Sequence, residues 1–291
     1  MKRVGLVGVG IMGKLMLTRI QKLGYEVVAS TWGDAEKEFC LEHGAIVAES
    51  KKDLAEKSDI IIVCLATTQL CKACAEELKD YITDRHIVIE LSTMSPENAI
   101  ELNDIYSQAS ASFIEGVILG RALTVGKWTI IAAGDEEKIK EIEHILLAFA
   151  EKVVPSKGIG SASTIKVLNN TMFCIFNAAI CETFVTVENA GVDLKVFYET
   201  IVNSHAATNC GVFKEIGARI VEERYDSPNA TVNVGIKDIS CGKAVAKSTG
   251  IATTYTDATV SLFENAAAYG LGLEDTAALF KYLRHVYPKN K

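Results

Sequence analysis

Gly8-Val9-Gly10-Ile11-Met12-Gly13 spells G-x-G-x-x-G between an apolar run and a helical pattern, and no other feature restricts the fold as much. Arg3–Val9 reads as a strand and Met12–Leu23 as a helix, so the glycines occupy a strand-to-helix turn. In such a turn the first glycine makes the bend and the second lets the backbone approach a pyrophosphate. The third lets helix and strand pack closely, and the helix N-terminus faces the anion. The plainer alternative is a tight turn with no ligand.

The alternation continues along the first half. Strands at Tyr25–Ser30, Ile46–Val47, Ile60–Leu65 and Ile87–Leu91 alternate with helices at Ala35–His43, Gln69–Leu78 and Pro96–Ser110, plus a brief helical turn at Leu54–Lys57. The run I-I-I-V-C-L at 60–65 suits a strand buried on both faces, and Ser95 before Pro96 marks a helix start. Phe113–Glu115 and Trp128–Ala133 add strands, and Glu136–Phe149 adds a helix. This rhythm predicts an α/β fold, a Rossmann-type doubly wound parallel sheet. Near residue 160 the strand signals stop. A mostly apolar helical pattern runs from Ser161 to Asn189, and helices follow at Leu194–Val202, Asn209–Ile220, Lys237–Ser248, Tyr255–Tyr269 and Asp275–His285. Gly191, Gly250 and Gly270 stand at helix ends. The expected organisation is a dinucleotide-binding domain at 1–160 and an all-helical domain at 161–291, joined by the long helix.

Composition narrows the function. The 291 residues, 49% of them apolar, suffice for two packed domains and exclude a disordered chain. Lys plus Arg number 30 against 37 for Asp plus Glu, and no basic cluster appears, which argues against nucleic acid and membrane surfaces as partners. Lys2-Arg3 before the glycine-rich run imitates a short signal peptide, but Lys14 and Arg19 follow without a small-residue cleavage site. The longest uncharged stretch, Val167–Cys181, is fifteen residues with three asparagines, too short and too polar to span a bilayer, so a cytoplasmic protein is expected. Cys71-x-x-Cys74 has no second pair or histidine at metal spacing; it reads as two reduced core thiols on one helix face, and no metal site is expected.

A second constellation opens the long helix. Gly158-Ile159-Gly160-Ser161 is followed by Lys166, Asn169 and Asn170, at helix spacings that share one face. Ile165, Val167 and Leu168 flank Lys166, which places it in an otherwise packed helix. That arrangement suits a general acid/base with an amide orienting a substrate oxygen; a solvated lysine near a helix start is the plain alternative. The second strand ends in Ser30-Thr31-Trp32, where a ribose-binding acid normally stands, with neither an acid nor an arginine for a 2′-phosphate. Asp34 lies just beyond, as ribose ligand or helix N-cap, and Trp32 either stacks on adenine or covers core. NAD and NADP both remain open.

Four segments recur together in order and spacing: G-V-G-I-M-G-K-L-M near the start, L-S-T-M-S-P at 91–96, G-x-G-x5-K-x-x-N-N at 158–170 and I-K-D-I at 236–239. With them the chain resembles the β-hydroxyacid dehydrogenases, the group of 3-hydroxyisobutyrate dehydrogenases and glyoxylate and succinic semialdehyde reductases, over nearly its whole length. The resemblance implies a Rossmann-type cofactor domain, a helical domain for substrate and subunit contacts, a cleft between them, and a homodimer or homotetramer. It implies Lys166 as the catalytic acid/base, Asn170 and Ser92 at the substrate oxygen, and Leu65, Ala66 and Thr93 at the nicotinamide-ribose end. Lys237 would close over the cofactor, although I-K-D-I by itself reads as a helix start with exposed charges.

One segment departs from the family pattern. A family loop of aspartate-alanine-proline-valine-serine-glycine-glycine, whose serine and following glycine hold a carboxylate, corresponds here to Glu115-Gly116-Val117-Ile118-Leu119-Gly120-Arg121. Leu119 replaces the serine and Gly120 follows it; Arg121 is either a bidentate carboxylate clamp or a solvated side chain. By the same analogy His205 falls in a loop facing the cleft, with a structural role as its alternative. The expected activity is NAD(P)-dependent hydride transfer between nicotinamide and a small, carboxylated 3-hydroxy acid or its aldehyde or keto acid. The alternatives are reduction of a carbon–nitrogen double bond on the same fold and a non-catalytic NAD(P)-binding regulator.

Overall fold

A computed structural model describes residues 3–288, so Lys2 of the signal-like start lies outside the described residues. The chain divides into two compact units, Met1–Lys166 and Val167–Lys291.

The first unit carries strands β1 (Val4–Val7), β2 (Val27–Ser30), β3 (Ile46–Val47), β4 (Ile60–Val63), β5 (Ile87–Glu90), β6 (Ser112–Leu119), β7 (Trp128–Gly134) and β8 (Ala150–Ser156). Between them run α1 (Ile11–Lys22), α2 (Asp34–Glu42), α3 (Lys51–Lys57), α4 (Thr68–Leu78), α5 (Pro96–Gln108) and α6 (Glu136–Leu146). The strands form one sheet in the order β3-β2-β1-β4-β5-β6-β7-β8. Alternate residues of β1 and β4 feed opposite cores: Leu6 and Ile62 meet Met16 and Leu17 of α1 and Ile142 of α6, while Val7 and Ile61 meet Leu54, Cys71 and Leu102 of α3–α5. Strands buried on both faces explain the unbroken apolar run at 60–63. Cys71 and Cys74 both lie in the second of these cores, as a helix-face pair should.

Three expectations for this unit change. The sheet is not wholly parallel, because β6 pairs antiparallel with β7 from Ile114↔Gly134 to Leu119↔Thr129. The segment matched to a family loop is mostly strand: β6 runs on to Leu119, and Arg121 leads into a short 3-10 turn at Ala122–Thr124. Strand β8 escaped the sequence reading, since A-E-K-V-V-P-S carries two charges and a proline. Its place at the sheet edge, paired only with β7, is where a proline is tolerated.

The second unit holds most of α7 (Ser161–Asn189), then α8 (Leu194–Val202), α9 (Gly211–Val221), α10 (Val232–Ser248), α11 (Thr254–Ala266) and α12 (Leu279–Val286). Cys181 and Phe184 of α7 pack there with Phe213, Ile239, Phe263 and Leu279. The helix itself corrects one expectation. Fifteen uncharged residues are too few to span a bilayer, yet α7 is 29 residues long and by length and composition alone is apolar enough to do so. Its apolar character continues past Glu182, through Phe184 and Val185, which are buried in this unit's core.

Candidate active site

The first unit gathers most of its candidate residues at the carboxyl ends of five parallel strands, β1, β2, β4, β5 and β6. Gly8 follows β1 at φ +96, a left-handed conformation that favours glycine, and a Cβ there would collide with the carbonyl oxygen of Cys64. A Cβ on Gly13 would strike the carbonyl oxygen of Gly8, so the close strand–helix approach requires both residues. Gly10 differs: nothing lies within 4 Å of where its Cβ would be. It is the N-cap of α1 and offers no side-chain acceptor, leaving the first-turn N–H groups to a ligand. Val9 is buried, Ile11 is exposed and Met12 half-buried. This turn fits a dinucleotide pyrophosphate.

Beside it, the end of β2 presents Thr31 half-buried and Trp32 exposed, which removes the core-cover alternative for the indole. Asp34 is not the N-cap of α2; Gly33 holds that position without a side-chain bond, and Asp34 is the exposed first helical residue. After β4 and β5 come Leu65-Ala66 and Ser92-Thr93, and the Leu65 N–H donates to Ser92 Oγ at 2.7 Å, tying the two loops together. Beneath Ser92 lies Glu90, 2% exposed, whose carboxylate accepts the Ser92 N–H at 2.9 Å. Burial pushes the Glu90 carboxyl up to about 7, against the opposing pull of hydrogen bonds from Ser92 and Cys71. Burial likewise pushes the Cys71 and Cys74 thiols up to about 12, so both are protonated at neutral pH.

Lys166 is half-buried in the second turn of α7, and its Nζ donates to the Ile118 carbonyl of β6 at 2.9 Å. Its flanks are less packed than the sequence suggests: Val167 is buried, but Ile165 and Leu168 are each more than two-fifths exposed, because they straddle the helix face away from the core. Glu115, also on β6 and 1% exposed, accepts the N–H groups of Gly160 and Ser163 at 2.6 Å each. The strand thereby caps the start of the helix that presents Lys166. Leu119 is half-buried at the end of β6, Gly120 leaves room for the Trp128 ring, and Arg121 is exposed. The Arg121 carbonyl accepts Trp128 Nε1–H at 2.7 Å.

In the second unit Asn170 Nδ2 donates to Asp238 Oδ2 at 2.8 Å, and Lys237 Nζ lies 3.5 Å from the other oxygen of that carboxylate. Asp238 thus links two residues the sequence singled out, though it was not itself a candidate. Asn169 is exposed and leans on Asn170, its Nδ2 donating to Asn170 Oδ1 at 3.3 Å. His205 is exposed in the turn after α8, a turn held by Asn209 Nδ2 donating to the carbonyls of Val202 and Ser204.

Comparison with known proteins bears on the family and the fold. The family described as the NAD binding domain of 6-phosphogluconate dehydrogenase matches residues 3–158, and that described as NAD-binding of NADP-dependent 3-hydroxyisobutyrate dehydrogenase matches residues 160–283. L-threonate dehydrogenase of Escherichia coli O6:H1 is 26% identical over 291 residues, covering 96% of this chain and 93% of that protein. The fold is shared with 3-hydroxyisobutyrate dehydrogenase from Salmonella typhimurium at a TM-score of 0.87 and 22% identity, over 97% of this chain and all of that one. It is also shared, at a TM-score of 0.62 and 20% identity, with a reductive aminase from Aspergillus terreus, over 97% and 99% of the two chains.

Proposed function

The chain belongs to the β-hydroxyacid dehydrogenase family, and from that premise we propose that it interconverts a small 3-hydroxy acid and the corresponding aldehyde or keto acid, with Lys166 as general acid and base. It is an NAD(P)-dependent oxidoreductase acting on CH–OH groups. The observation that carries the reading is the placement of Lys166: its Nζ is held by the Ile118 carbonyl, one helical turn before an Asn170 oriented by Asp238.

In oxidation the neutral Lys166 amine takes the substrate hydroxyl proton; in reduction the ammonium returns one to the developing alkoxide. Asn170 orients the same oxygen. Ser92, whose Oγ accepts the Leu65 N–H, borders the same oxygen. When bound, nicotinamide supplies or accepts the hydride at the carbinol carbon. Gly8, Val9, Gly10, Ile11, Met12 and Gly13 cradle the pyrophosphate, Thr31 and Trp32 the adenosine end, and Leu65, Ala66 and Thr93 the nicotinamide ribose; Lys237 of α10 is a further cofactor-binding residue in this reading. Leu119, Gly120 and His205 border the substrate, and the fork of Arg121 takes its carboxylate. The domain roles follow, with cofactor on 1–160 and substrate and subunit contacts on 161–291. The exposed stripe Leu168, Met172 and Phe176 on α7 supports a homodimer or homotetramer through the helical half. A cytoplasmic location, away from nucleic acid and membranes, completes the reading.

The test is NAD(P)H oxidation with small carboxylated aldehydes and keto acids, and NAD(P)+ reduction with 3-hydroxy acids and L-threonate. Turnover on a carboxylated substrate supports the reading. A second reading, reduction of C=N bonds, rests on the apolar Leu119 where the family places a hydroxyl; turnover on cyclic imines alone would replace the first reading with it. Tight nucleotide binding without turnover on either panel would point instead to a cofactor-binding regulator.

A further inference from the structure

The end of the second strand is met by a cation 21 positions further along the chain. In a βαβ dinucleotide fold the last residue of the second strand, about twenty past the glycines, faces the adenosine ribose. An acid there accepts from a 2′-hydroxyl, whereas a cation beside it takes a 2′-phosphate. That residue is Ser30, the end of β2, and Ser30-Thr31-Trp32 contains no carboxylate.

The structure supplies the cation from elsewhere. Lys51, the first residue of α3, donates from Nζ to Ser30 Oγ at 2.9 Å. Its side chain is only 12% exposed, and the ammonium sits 5.2 Å from the centre of the Trp32 ring. The carboxylate of Glu77 is 3.9 Å away and 62% exposed, too long and too wet a pair to neutralise the charge. A lysine stem packed down and an ammonium fixed between a hydroxyl and an indole face make a preorganised cation, with Ser30 occupying one of its three donors.

We propose that Lys51 reads the adenosine 2′-phosphate and makes NADP(H) the preferred cofactor. The proposal rests on Gly8–Gly13 being the dinucleotide site. Phosphate is a divalent acceptor that the ammonium meets with charge-assisted bonds, while the ribose hydroxyl of NAD(H) finds no carboxylate within Ser30-Thr31-Trp32 to accept from it.

The experiment is a titration of the full chain with NADPH and with NADH, followed by calorimetry and by quenching of tryptophan fluorescence. NADPH is expected to bind more tightly by about tenfold or more. Lys51→Met, which keeps most of the packed stem, should bring the two affinities to near equality, and Ser30→Asp should reverse the preference by pairing with Lys51 and accepting from the 2′-hydroxyl. Equal binding of both nucleotides by the parent protein, or a Lys51→Met variant that weakens both alike, would overturn the role of Lys51 and leave the dinucleotide site standing. If neither nucleotide binds, the dinucleotide reading itself fails and this one with it.

Discussion

The ammonium of Lys166 donates to the carbonyl oxygen of Ile118 at 2.9 Å, so the only lysine of α7 is anchored on β6 rather than left to solvent. If that lysine exchanges a proton with the substrate oxygen, Lys166→Ala should lower kcat by about 10²–10⁴-fold. Nucleotide affinity should stay close to that of the parent, because in this reading the lysine meets the reacting oxygen and not the pyrophosphate. Steady-state kinetics beside nucleotide titration decide the matter. An equal loss of turnover and binding would remove Lys166 from the reacting atoms.

The same strand holds the start of the helix through Glu115, whose two carboxylate oxygens each accept one backbone N–H. Glu115→Gln retains one acceptor and turns the other into a donor facing an N–H; Glu115→Ala retains none. Hydrogen bonds to a buried charged group contribute about 1.5–3 kcal/mol each. Urea unfolding should therefore rank the proteins parent, Gln, Ala in falling stability, with the alanine variant lower by a few kcal/mol. A Glu115→Ala midpoint equal to the parent's would show that the cap contributes nothing.

Gly10 and Gly13 separate folding from binding. Gly10 has an ordinary backbone conformation and open space around it, so Gly10→Ala should fold with a melting temperature close to the parent's. The new methyl faces the surface a pyrophosphate approaches, so nucleotide affinity should fall by roughly tenfold or more. Gly13→Ala forces a Cβ onto the Gly8 carbonyl and should cost about 1–3 kcal/mol of stability before any ligand is added. Melting and titration of the two variants would show opposite patterns; destabilisation by both would mean that Gly10 is also structural.

What the sequence made legible followed from local chemistry. Ser95 and Pro96 announced α5, and Ser95 Oγ does accept the Asn98 N–H as its N-cap. Likewise, α7 and α8 run from Ser161 to Asn189 and from Leu194 to Val202, as their helical patterns indicate, because apolar periodicity and flanking turn residues are written in the segments themselves. What stayed hidden depends on distant partners. Nothing near Glu115 indicates that it caps a helix 45 residues on, nothing near Ser30 points to Lys51, and nothing in I-K-D-I shows that Asp238 will hold Asn170 across 68 residues. The length of β6 was obscured differently: its antiparallel pairing with β7 turns a stretch matched to a family loop into strand.

Glu90 gives the molecule a pH dependence whose sign can be stated. Its carboxyl is buried at the end of β5, and burial raises it from the usual carboxylate range to about 7. Between pH 4.5 and 7 the folded chain therefore holds a proton that the unfolded chain has already released. The resulting stability is fully present below the lower value and is lost as pH rises through the upper one, a decline on the order of 3 kcal/mol. Glu90→Gln keeps an acceptor for the Ser92 N–H while remaining neutral throughout. It should match the parent near pH 4.5, show a shallower fall across the window, and be the more stable protein above pH 7. Urea midpoints measured at half-unit steps from pH 4.5 to 8 check this, and two parallel profiles would show that Glu90 ionises in the folded state as freely as in the unfolded one. The consequence reaches the nucleotide loops, because Ser92 receives the Glu90 carboxylate at its N–H and the Leu65 N–H at its hydroxyl. A charge arriving on Glu90 is felt one hydrogen bond away from the two loops that face the nicotinamide end of the site.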